Sequence, residues 1–398
     1  MNAFSSVYMP RAIFYGRESL KMVGKEAHSR GTHALIISDQ IMESLGYVND
    51  CITHLKESNV SYTTYLDVNT EPTDIFVEQA LDLLKEKECD LVIALGGGSC
   101  IDTAKAVAVL ATNGGDISEY MGNKRLASEN PLPLIAIPTT AGTGSEATDV
   151  TVITNTKNDV KMMIKQTAFL PEVAIVDPLL TVSSPKKVTA ATGVDALCHA
   201  IEAFISRKSH SFTDNLALSA IQLIFENIRS AYENGDDLEA REKMALASMQ
   251  AGVAFSNASV CLVHGMSRPI GALFHVPHGV SNAMLLPAVL EYSKEECIDR
   301  LAQIGAVISP DLKSIAKEEI ANHVVNEVKK LCVDLNIPNM KQWGIDQQAL
   351  DKVVQKMAKD AIASGSPANN PKVPEEHEIV ELYYRCFDYN MSEELNIS

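Results

Sequence analysis

The chain has 398 residues, of which 46% are hydrophobic and 21% charged, so it is long and apolar enough to bury the cores of roughly two or three domains. Its formal net charge of −17 argues against nucleic acid or an anionic membrane surface as a partner. The sequence opens without a basic segment followed by an apolar one, and it contains no apolar run of the roughly 18 residues that span a bilayer. Its eight cysteines include no Cys-x-x-Cys pair. We therefore expect a cytoplasmic protein with reduced thiols.

The first half alternates short β-rich runs with helical ones. Strands are predicted at 33–38, 62–66, 90–95, 134–138 and 173–176. Helices are predicted between them, as at 74–87 and 101–111. Continuous apolar strands that alternate with helices are typical of a mostly parallel sheet covered on both faces. We therefore predict an α/β dinucleotide-binding domain over residues 1–184, with ligands bound beyond the carboxyl ends of the strands.

One predicted strand ends in an acidic residue. Asp39 follows the strand at 33–38, where a carboxylate can accept hydrogen bonds from the adenosine ribose and repel a 2′-phosphate. This position favours NAD over NADP. The alternative is a turn-forming aspartate before Gln40.

Two further strand ends carry turns that suit a dinucleotide. Leu95 leads into Gly96–Ser99 and a helix that carries Asp102; glycines there let the backbone approach a pyrophosphate, and the helix N-terminus offers free N–H groups. Pro138 leads into Thr-Thr-Ala-Gly-Thr-Gly-Ser-Glu146, whose hydroxyls could cradle a phosphate or ribose. A Gly-Gly-Gly-Ser run alone is equally a bare turn, but two such turns at one sheet edge favour a nucleotide site.

From about Ser184 the β-rich runs nearly vanish, and we predict an all-helical domain over residues 185–398. Helical patterns follow at 195–206, 213–233, 238–257, 312–335 and 348–363. Asp195 and His199 are four residues apart, which puts a carboxylate and an imidazole on one helical face. His264 and His278 flank a segment with two glycines and two prolines, which we expect to turn and bring distant side chains together.

Three imidazoles and one carboxylate would hold a divalent transition metal and could leave a position open for an oxygen substrate. The set accepts Fe²⁺, Zn²⁺, Ni²⁺, Co²⁺ or Mn²⁺. His275, three residues before His278, competes for the fourth ligand position. Glu202, seven residues after Asp195, could support the site, although a solvent-facing or interdomain role is equally open.

Together these motifs resemble the iron-dependent (group III) alcohol dehydrogenase family. The likeness rests on Gly-Gly-Gly-Ser-x-x-Asp at 96–102, Pro-Thr-Thr-x-Gly-Thr-Gly-Ser-Glu at 138–146, Gly-Val-Asp-x-x-x-His at 193–199, His264-Gly-Met and Pro277-His278-Gly279. It implies a dehydroquinate-synthase-like two-domain fold, with the cofactor in the first domain and the metal at the domain cleft. The resemblance assigns Fe²⁺ to Asp195, His199, His264 and His278. The expected NAD-binding residues, with Asp102 and Thr143 added from the two turns, are Asp39, Gly97, Gly98, Ser99, Asp102, Thr139, Thr140, Thr143, Thr148, Lys161 and Leu180.

The sequence departs from the family pattern at two positions. Cys100 replaces a usual proline, which affects only the helix start. Arg268 stands where many members carry a histidine linked to proton transfer. Arg268 is therefore a candidate catalytic residue, but a guanidinium stays charged and cannot act as a general base. We hypothesise that His275 or an ordered water chain carries the proton; the alternative is that His275 is structural.

These residues predict a metal-dependent oxidoreductase that transfers a hydride between NAD(H) and a small primary alcohol/aldehyde, diol or hydroxyaldehyde pair, with the metal as Lewis acid. One alternative is an NAD- and metal-dependent cyclising lyase of the dehydroquinate synthase type, whose phosphate-bearing substrate wants several cations. Near the ligands we find chiefly Arg268 and Lys161, and the apolar neighbours Leu262, Ile270 and Leu273 suit a weakly charged substrate. A hydroxyacid–oxoacid dehydrogenase and a non-catalytic NAD-binding protein are further alternatives. The likeness favours a homodimer or a multiple of it.

Overall fold

The computed structural model describes residues 4–158, 160–312 and 315–393. Its strands are β1 (Ala12–Tyr15), β2 (His33–Ile37), β3 (Ser61–Tyr65), β4 (Leu91–Gly96), β5 (Leu134–Pro138), β6 (Val150–Asn155), β7 (Val160–Lys165) and β8 (Val173–Val176). Six of them form a parallel sheet in the order β1-β8-β5-β4-β2-β3. The five strands predicted from the sequence agree with the structure to within one residue.

Helices cover both faces of this sheet, which is why the central strands are apolar at every position. All residues of β4 and β5 are buried. The helices of this part are α1 (Met22–His28), α2 (Gln40–Ser44), α3 (Tyr47–Glu57), α4 (Asp74–Glu86) and α5 (Gly98–Asn113). The predicted α/β first domain is confirmed in its architecture.

Strands β6 and β7 form a separate antiparallel hairpin. One face packs into the core through Ile153, Met162 and Ile164. The other face lines a cavity through Val152 and Met163. Both faces of the hairpin therefore carry apolar residues, and the alternation of apolar and polar residues that indicates a hairpin is weak. For this reason the sequence pattern does not predict the hairpin.

The second part is helical within the described residues. Its helices are α6 (Lys186–Ile205), α7 (Ser211–Glu233), α8 (Leu238–Ala258), α9 (Leu262–Phe274), α10 (His278–Ser293), α11 (Ile298–Ile308), α12 (Lys317–Asp334), α13 (Met340–Trp343), α14 (Gln347–Ala363) and α15 (Glu376–Phe387). The all-helical prediction is confirmed. The predicted division between residues 184 and 185 falls in the connection between β8 and α6, and stays a prediction.

Helix α6 is long and apolar enough to cross a membrane, and the pair α8 and α9, bent by 103°, passes the same test jointly. However, 89% of the apolar window of α6 is buried inside the protein. Helix α6 packs against α7, α8 and α10. Its apolar character therefore comes from its place at the centre of the helical core.

The segment between His264 and His278 differs from the expectation of a broken chain. Helix α9 continues through Gly265, Pro269 and Gly271, and the chain leaves it only at His275, whose φ of 53° is left-handed. Most of α9 is buried, so tertiary packing outweighs the local preference of glycine and proline against a helix. The turn that brings His278 to His264 is thus confined to 275–277.

The two parts meet along the loop that follows β5. A Cβ on Gly144 would lie 2.6 Å from the Cα of Gly252 on α8, so both positions require glycine for this close approach. The same loop passes beside Thr192 on α6 at Gly142. The loop therefore joins the carboxyl edge of the sheet to the helices that carry Asp195 and His199.

Candidate metal centre and nucleotide cleft

Four side chains from three helices converge on one point. Asp195 and His199 lie on α6, His264 lies in the first turn of α9, and His278 begins α10. One potential ligand atom from each lies within 4.8 Å of the other three. The first three residues are buried, and His278 is half-buried.

The electrostatics of this cluster favour the protonation states that a metal needs. Burial lowers the pKa of His199 and His278 and lowers that of His264 further, so the rings stay neutral. Burial opposes ionisation of Asp195, but any positive charge on the neighbouring imidazoles and the hydrogen bond from Asn282 favour it, and the pKa of that carboxyl is lowered. Neutral imidazoles and a carboxylate are the metal-binding forms.

Three further side chains hold the cluster in place. Glu202 accepts a hydrogen bond from Nδ1 of His264 at 2.6 Å and is itself fixed by the backbone N–H groups of Cys261 and Val263. A proton held on Nδ1 leaves Nε2 of His264 free for a metal. Phe255 stacks on His199 with ring centroids 4.2 Å apart.

Asn282 completes this surrounding shell from one turn after His278. Its Nδ2 lies 2.6 Å from Oδ1 of Asp195, 3.0 Å from Nε2 of His264 and 3.1 Å from Nε2 of His278. The side-chain amide of Asn282 thus contacts the atoms of Asp195, His264 and His278 that face one another. Nothing in the sequence marks Phe255 or Asn282, whereas the i, i+7 spacing from Asp195 does indicate Glu202. The donor set, neutral nitrogens and one carboxylate oxygen, fits Fe²⁺ or a related divalent ion.

A cavity of about 360 Å³ connects this cluster to the sheet domain. His199, His264 and His278 line one side of it. The lining on the other side includes predicted cofactor residues, namely Gly98, Ser99, Asp102, Thr143, Thr148 and Lys161. The structure therefore brings the metal candidates and much of the nucleotide set to one cleft.

The glycine turn after β4 is shaped by its contact with the second loop. Gly97 caps the N-terminus of α5, so the helix presents its free N–H groups there. A Cβ on Gly98 would lie 2.8 Å from Cγ2 of Thr143, closer than packed atoms approach, whereas one on Gly97 would lie an ordinary 3.8 Å from Thr140. A backbone cradle closed by threonines fits a pyrophosphate.

The remaining predicted cofactor residues lie around this cradle without lining the cavity. Asp39 caps α2 by accepting from the N–H of Met42 at 2.9 Å, and its Oδ2 lies 3.7 Å from the Cβ position of Gly96. Both interpretations of Asp39, turn former and ribose acceptor, are thus compatible with its place. The others outside the lining are Gly97, Thr139, Thr140 and Leu180; Thr139 and Leu180 are buried.

A buried polar network supports the cradle from behind. Asp102 accepts from Oγ of Ser145 at 2.5 Å and from the N–H of Val152 at 2.8 Å. Lys105, fully buried, donates to Oγ1 of Thr148 at 2.9 Å and to the carbonyl of Val150 at 2.7 Å. These bonds tie both loops and the hairpin to α5. Asp102 and Thr148 thus brace the cleft as well as line it.

The structure does not bring His275 to the cleft. It is exposed at the end of α9 and is absent from the cavity lining, because the left-handed cap directs the chain away from the site. His278, and not His275, joins the other three candidates within coordination range. The exposed position of His275 argues against the proton relay, and the role of His275 stays a prediction.

Arg268 lies in the cavity wall, but the apolar neighbours expected to shape the cavity do not. Leu262 and Ile270 are fully buried in the helical core, and Leu273 packs against that core. The expectation that these residues suit a weakly charged substrate is therefore wrong in its premise. Glu71, Pro72 and the hairpin residues that line the cavity, apart from Lys161, carry no sequence signal of their own.

Comparison with known proteins agrees with this geometry. The family profile described as iron-containing alcohol dehydrogenase matches residues 10–178, and that of the Fe-containing alcohol dehydrogenase family, C-terminal, matches residues 189–387. A 1,3-propanediol dehydrogenase of Citrobacter freundii is 36% identical over 384 residues, which cover 95% of this chain and 98% of that protein.

Two solved structures superpose on nearly the whole chain. A 1,3-propanediol oxidoreductase gives a TM-score of 0.93 at 34% identity and covers 96% of this chain and 100% of its own. A sulfoacetaldehyde reductase of Bifidobacterium kashiwanohense, in complex with NAD⁺, gives a TM-score of 0.87 at 27% identity and covers 98% of this chain and 100% of its own.

Proposed function

The chain belongs to the iron-containing alcohol dehydrogenase family, and on that premise we propose that it interconverts a short primary alcohol, diol or hydroxyaldehyde with the corresponding carbonyl compound. It is an NAD-linked, metal-dependent oxidoreductase of alcohols and aldehydes. The observation that carries the choice of a short substrate is the size of the cavity beside the metal cluster, about 360 Å³, which the nicotinamide and the substrate must share.

We assign the metal-binding role to Asp195, His199, His264 and His278, because their ligand atoms face one another within 4.8 Å. When bound, the metal supplies Lewis acidity to the substrate oxygen, and NAD accepts or donates the hydride. Glu202 orients the ring of His264 through its hydrogen bond. The cleft holds the substrate carbon against the nicotinamide and limits access of water.

We assign NAD binding to the turns after β4 and β5. The N–H groups at the start of α5 receive the pyrophosphate at Gly97, Gly98 and Ser99. Asp39 accepts from the adenosine ribose and disfavours NADP. Thr139, Thr140 and Thr143 close the cradle, Thr148 and Lys161 complete the site on the cavity side, and Leu180 lies in reach of the coenzyme.

The hydroxyl proton leaves through water in this proposal. His275 is exposed outside the cleft, and Arg268 remains protonated at physiological pH, since burial lowers its pKa only to about 10. An ordered water chain is the remaining route of those hypothesised.

We further propose a cytoplasmic homodimer or a multiple of it, with domains at 1–184 and 185–398. Strand β1 is an edge of the sheet, and the chain before it exposes Phe4, Tyr8 and Met9, which are suited to pairing with a second copy. Light scattering coupled to size-exclusion chromatography tests the assembly; a monomer at micromolar concentration contradicts it.

A substrate screen tests the activity. Alcohols and aldehydes of increasing length are offered with NAD(H) and NADP(H) to enzyme reconstituted with Fe²⁺ or Zn²⁺. We expect turnover of short primary alcohols or aldehydes with NAD(H) and loss of turnover on chelation. Absence of coenzyme oxidation or reduction with every pair contradicts the proposed function.

A further inference from the structure

Arg268 is a half-buried cation without a matching anion. Its Nη1 is buried and has no hydrogen-bond partner within the described part of the chain. Its Nη2 lies 3.0 Å from the thioether sulfur of Met163, a weak acceptor. A charged nitrogen that is buried without a strong acceptor is costly, so Nη1 of Arg268 indicates a partner that arrives from outside the chain.

The other two cations of the cavity are already paired. Lys161 forms an ion pair with Glu71. Lys165 lies 3.5 Å from Oδ1 of Asp149 and also donates to the carbonyl of Ser256. Arg268 makes no ion pair within 4.0 Å among residues 4–158, 160–312 and 315–393, although the charge of Glu202 acts on it from farther away.

The position of Arg268 places this charge beside the reaction centre. It follows His264 by four residues on α9, so the two side chains leave the same face of the helix. Both line the cavity, together with His278 and with Ser99 of the nucleotide turn. A substrate whose oxygen lies at the metal cluster therefore extends toward the guanidinium.

Building on the proposed function, we propose that Arg268 binds an oxyanion at the far end of the substrate, and that the enzyme acts on short aldehydes or alcohols that carry a carboxylate or sulfonate. The planar guanidinium forms paired, charge-assisted hydrogen bonds with such groups.

The proposed reaction is the reduction of an aldehyde by NADH. A hydride from NADH forms the new C–H bond, a proton from solvent goes to the carbonyl oxygen, and the products are NAD⁺ and a hydroxy acid whose anion is unchanged. The anion takes no part in bond making. It offsets the positive charge that Arg268 and a divalent metal bring to a site shielded from water.

Matched substrate pairs test the proposal on the metal-loaded enzyme. Butanal is compared with 4-oxobutanoate, and propanal with sulfoacetaldehyde, in the wild type and in Arg268→Gln. We expect kcat/KM of the wild type to favour an anionic member on the order of 10- to 100-fold, and Arg268→Gln to lose that preference mainly through KM. The pair with the larger preference distinguishes a carboxylate from a sulfonate substrate.

Two further variants separate charge recognition from structural damage. Arg268→Lys keeps the positive charge but not the paired N–H donors of the guanidinium, and it is expected to keep part of the preference for anionic substrates. Lys165→Gln removes a cavity cation that already has an acid partner and is expected to keep most of it. A wild type that favours the neutral members, or an Arg268→Gln variant that loses both members equally or loses NADH affinity instead, overturns the proposal.

A binding measurement keeps this test independent of turnover. Butyrate and butyramide, which cannot react, are titrated calorimetrically into the NADH-bound, iron-reconstituted enzyme. We expect butyrate to bind at least roughly tenfold more tightly in the wild type and without advantage in Arg268→Gln. Equal binding of butyrate and butyramide to the wild type overturns the anion site. A clear preference for butyrate, together with no turnover of any substrate pair, contradicts the proposed function but not the anion site.

Discussion

The metal cluster and the nucleotide cradle face each other across one cavity, but the first is formed by side chains and the second largely by backbone. The cluster consists of side chains from α6, α9 and α10, three of them buried and one half-buried. The cradle consists largely of backbone at the ends of β4 and β5, where glycines allow close approach. In the first, the identity of a few residues decides the chemistry; in the second, the shape of the main chain does.

Two buried carboxyl groups, one from each region, show the same contrast. Burial raises the pKa of Glu146, in the loop after β5, to about 7. Burial also acts on Asp195, but any positive charge on the neighbouring imidazoles and the hydrogen bond from Asn282 outweigh it and lower its pKa. Neighbouring side chains thus compensate the buried charge of Asp195, whereas Glu146 is easily neutralised, as is Glu202 beside the metal cluster, whose pKa burial also raises to about 7.

Removing one ligand is the most damaging test of the comparison. His264→Ala deletes a nitrogen donor and leaves Glu202 without its imidazole partner. We expect turnover to fall on the order of a thousandfold, together with loss of bound iron, while NADH affinity is largely kept. Steady-state kinetics, metal analysis and NADH fluorescence measure the three effects. His377→Ala, at an exposed histidine, is the control; a His264→Ala enzyme with full iron and turnover refutes the assignment.

A substitution at Gly98 changes the nucleotide cradle without changing the metal cluster. In Gly98→Ala the new methyl group would lie 2.8 Å from Cγ2 of Thr143, so the two loops must separate. We expect roughly 10- to 100-fold weaker NADH binding with iron content unchanged, since the loss is one of backbone fit. Adding Thr143→Ser removes the colliding methyl group but keeps the hydroxyl, and partial recovery is expected. Equal NADH affinity in Gly98→Ala and the wild type contradicts the cradle.

The same division explains what could be predicted from the sequence. Asp195, His199, His264 and His278 are identifiable as metal candidates from their residue types and from the family resemblance. Strands β2, β4, β5 and β8 are identifiable from apolar runs that are almost entirely buried, whereas the half-buried edge strand β3 is identifiable only from its β-branched and aromatic residues. The threonine- and glycine-rich turns were open to a purely structural interpretation, and their contact at Gly98 and Thr143 depends on the folded arrangement.

The rest depends on tertiary packing that no local pattern encodes. Helix α9 forms through Pro269 because its surroundings bury it, and the hairpin of β6 and β7 has apolar residues on both faces. The outward turn of His275 follows from where α9 ends. Asn282 reaches the cluster from an ordinary-looking position on α10, so only the fold reveals its contacts.

Coenzyme choice sharpens the comparison at the outer edge of the cradle. Asp39→Gly removes the carboxylate beside Gly96 but also the cap that accepts from Met42. We expect the NAD-to-NADP ratio of kcat/KM to fall by about tenfold, since a 2′-phosphate is no longer repelled. Asp39→Ser keeps a capping hydroxyl and separates the two roles. An unchanged ratio in both variants removes Asp39 from the ribose pocket.

The last prediction concerns stability and pH, and it tests the buried carboxyl group of Glu146 directly. The pKa of Glu146 is about 7 when folded and 4.5 ordinarily, so between these pH values the folded protein holds a proton that the unfolded chain has lost. Stability that Glu146 contributes at low pH is therefore lost as the pH rises through 7, by at most about 1.4 kcal/mol per pH unit. Glu146→Gln is neutral throughout, so its thermal midpoint, measured from pH 5 to pH 8, should rise relative to the wild type and level off above 7. A difference that stays constant over this range would mean that Glu146 is compensated as Asp195 is, and the contrast between these two carboxyl groups would not hold.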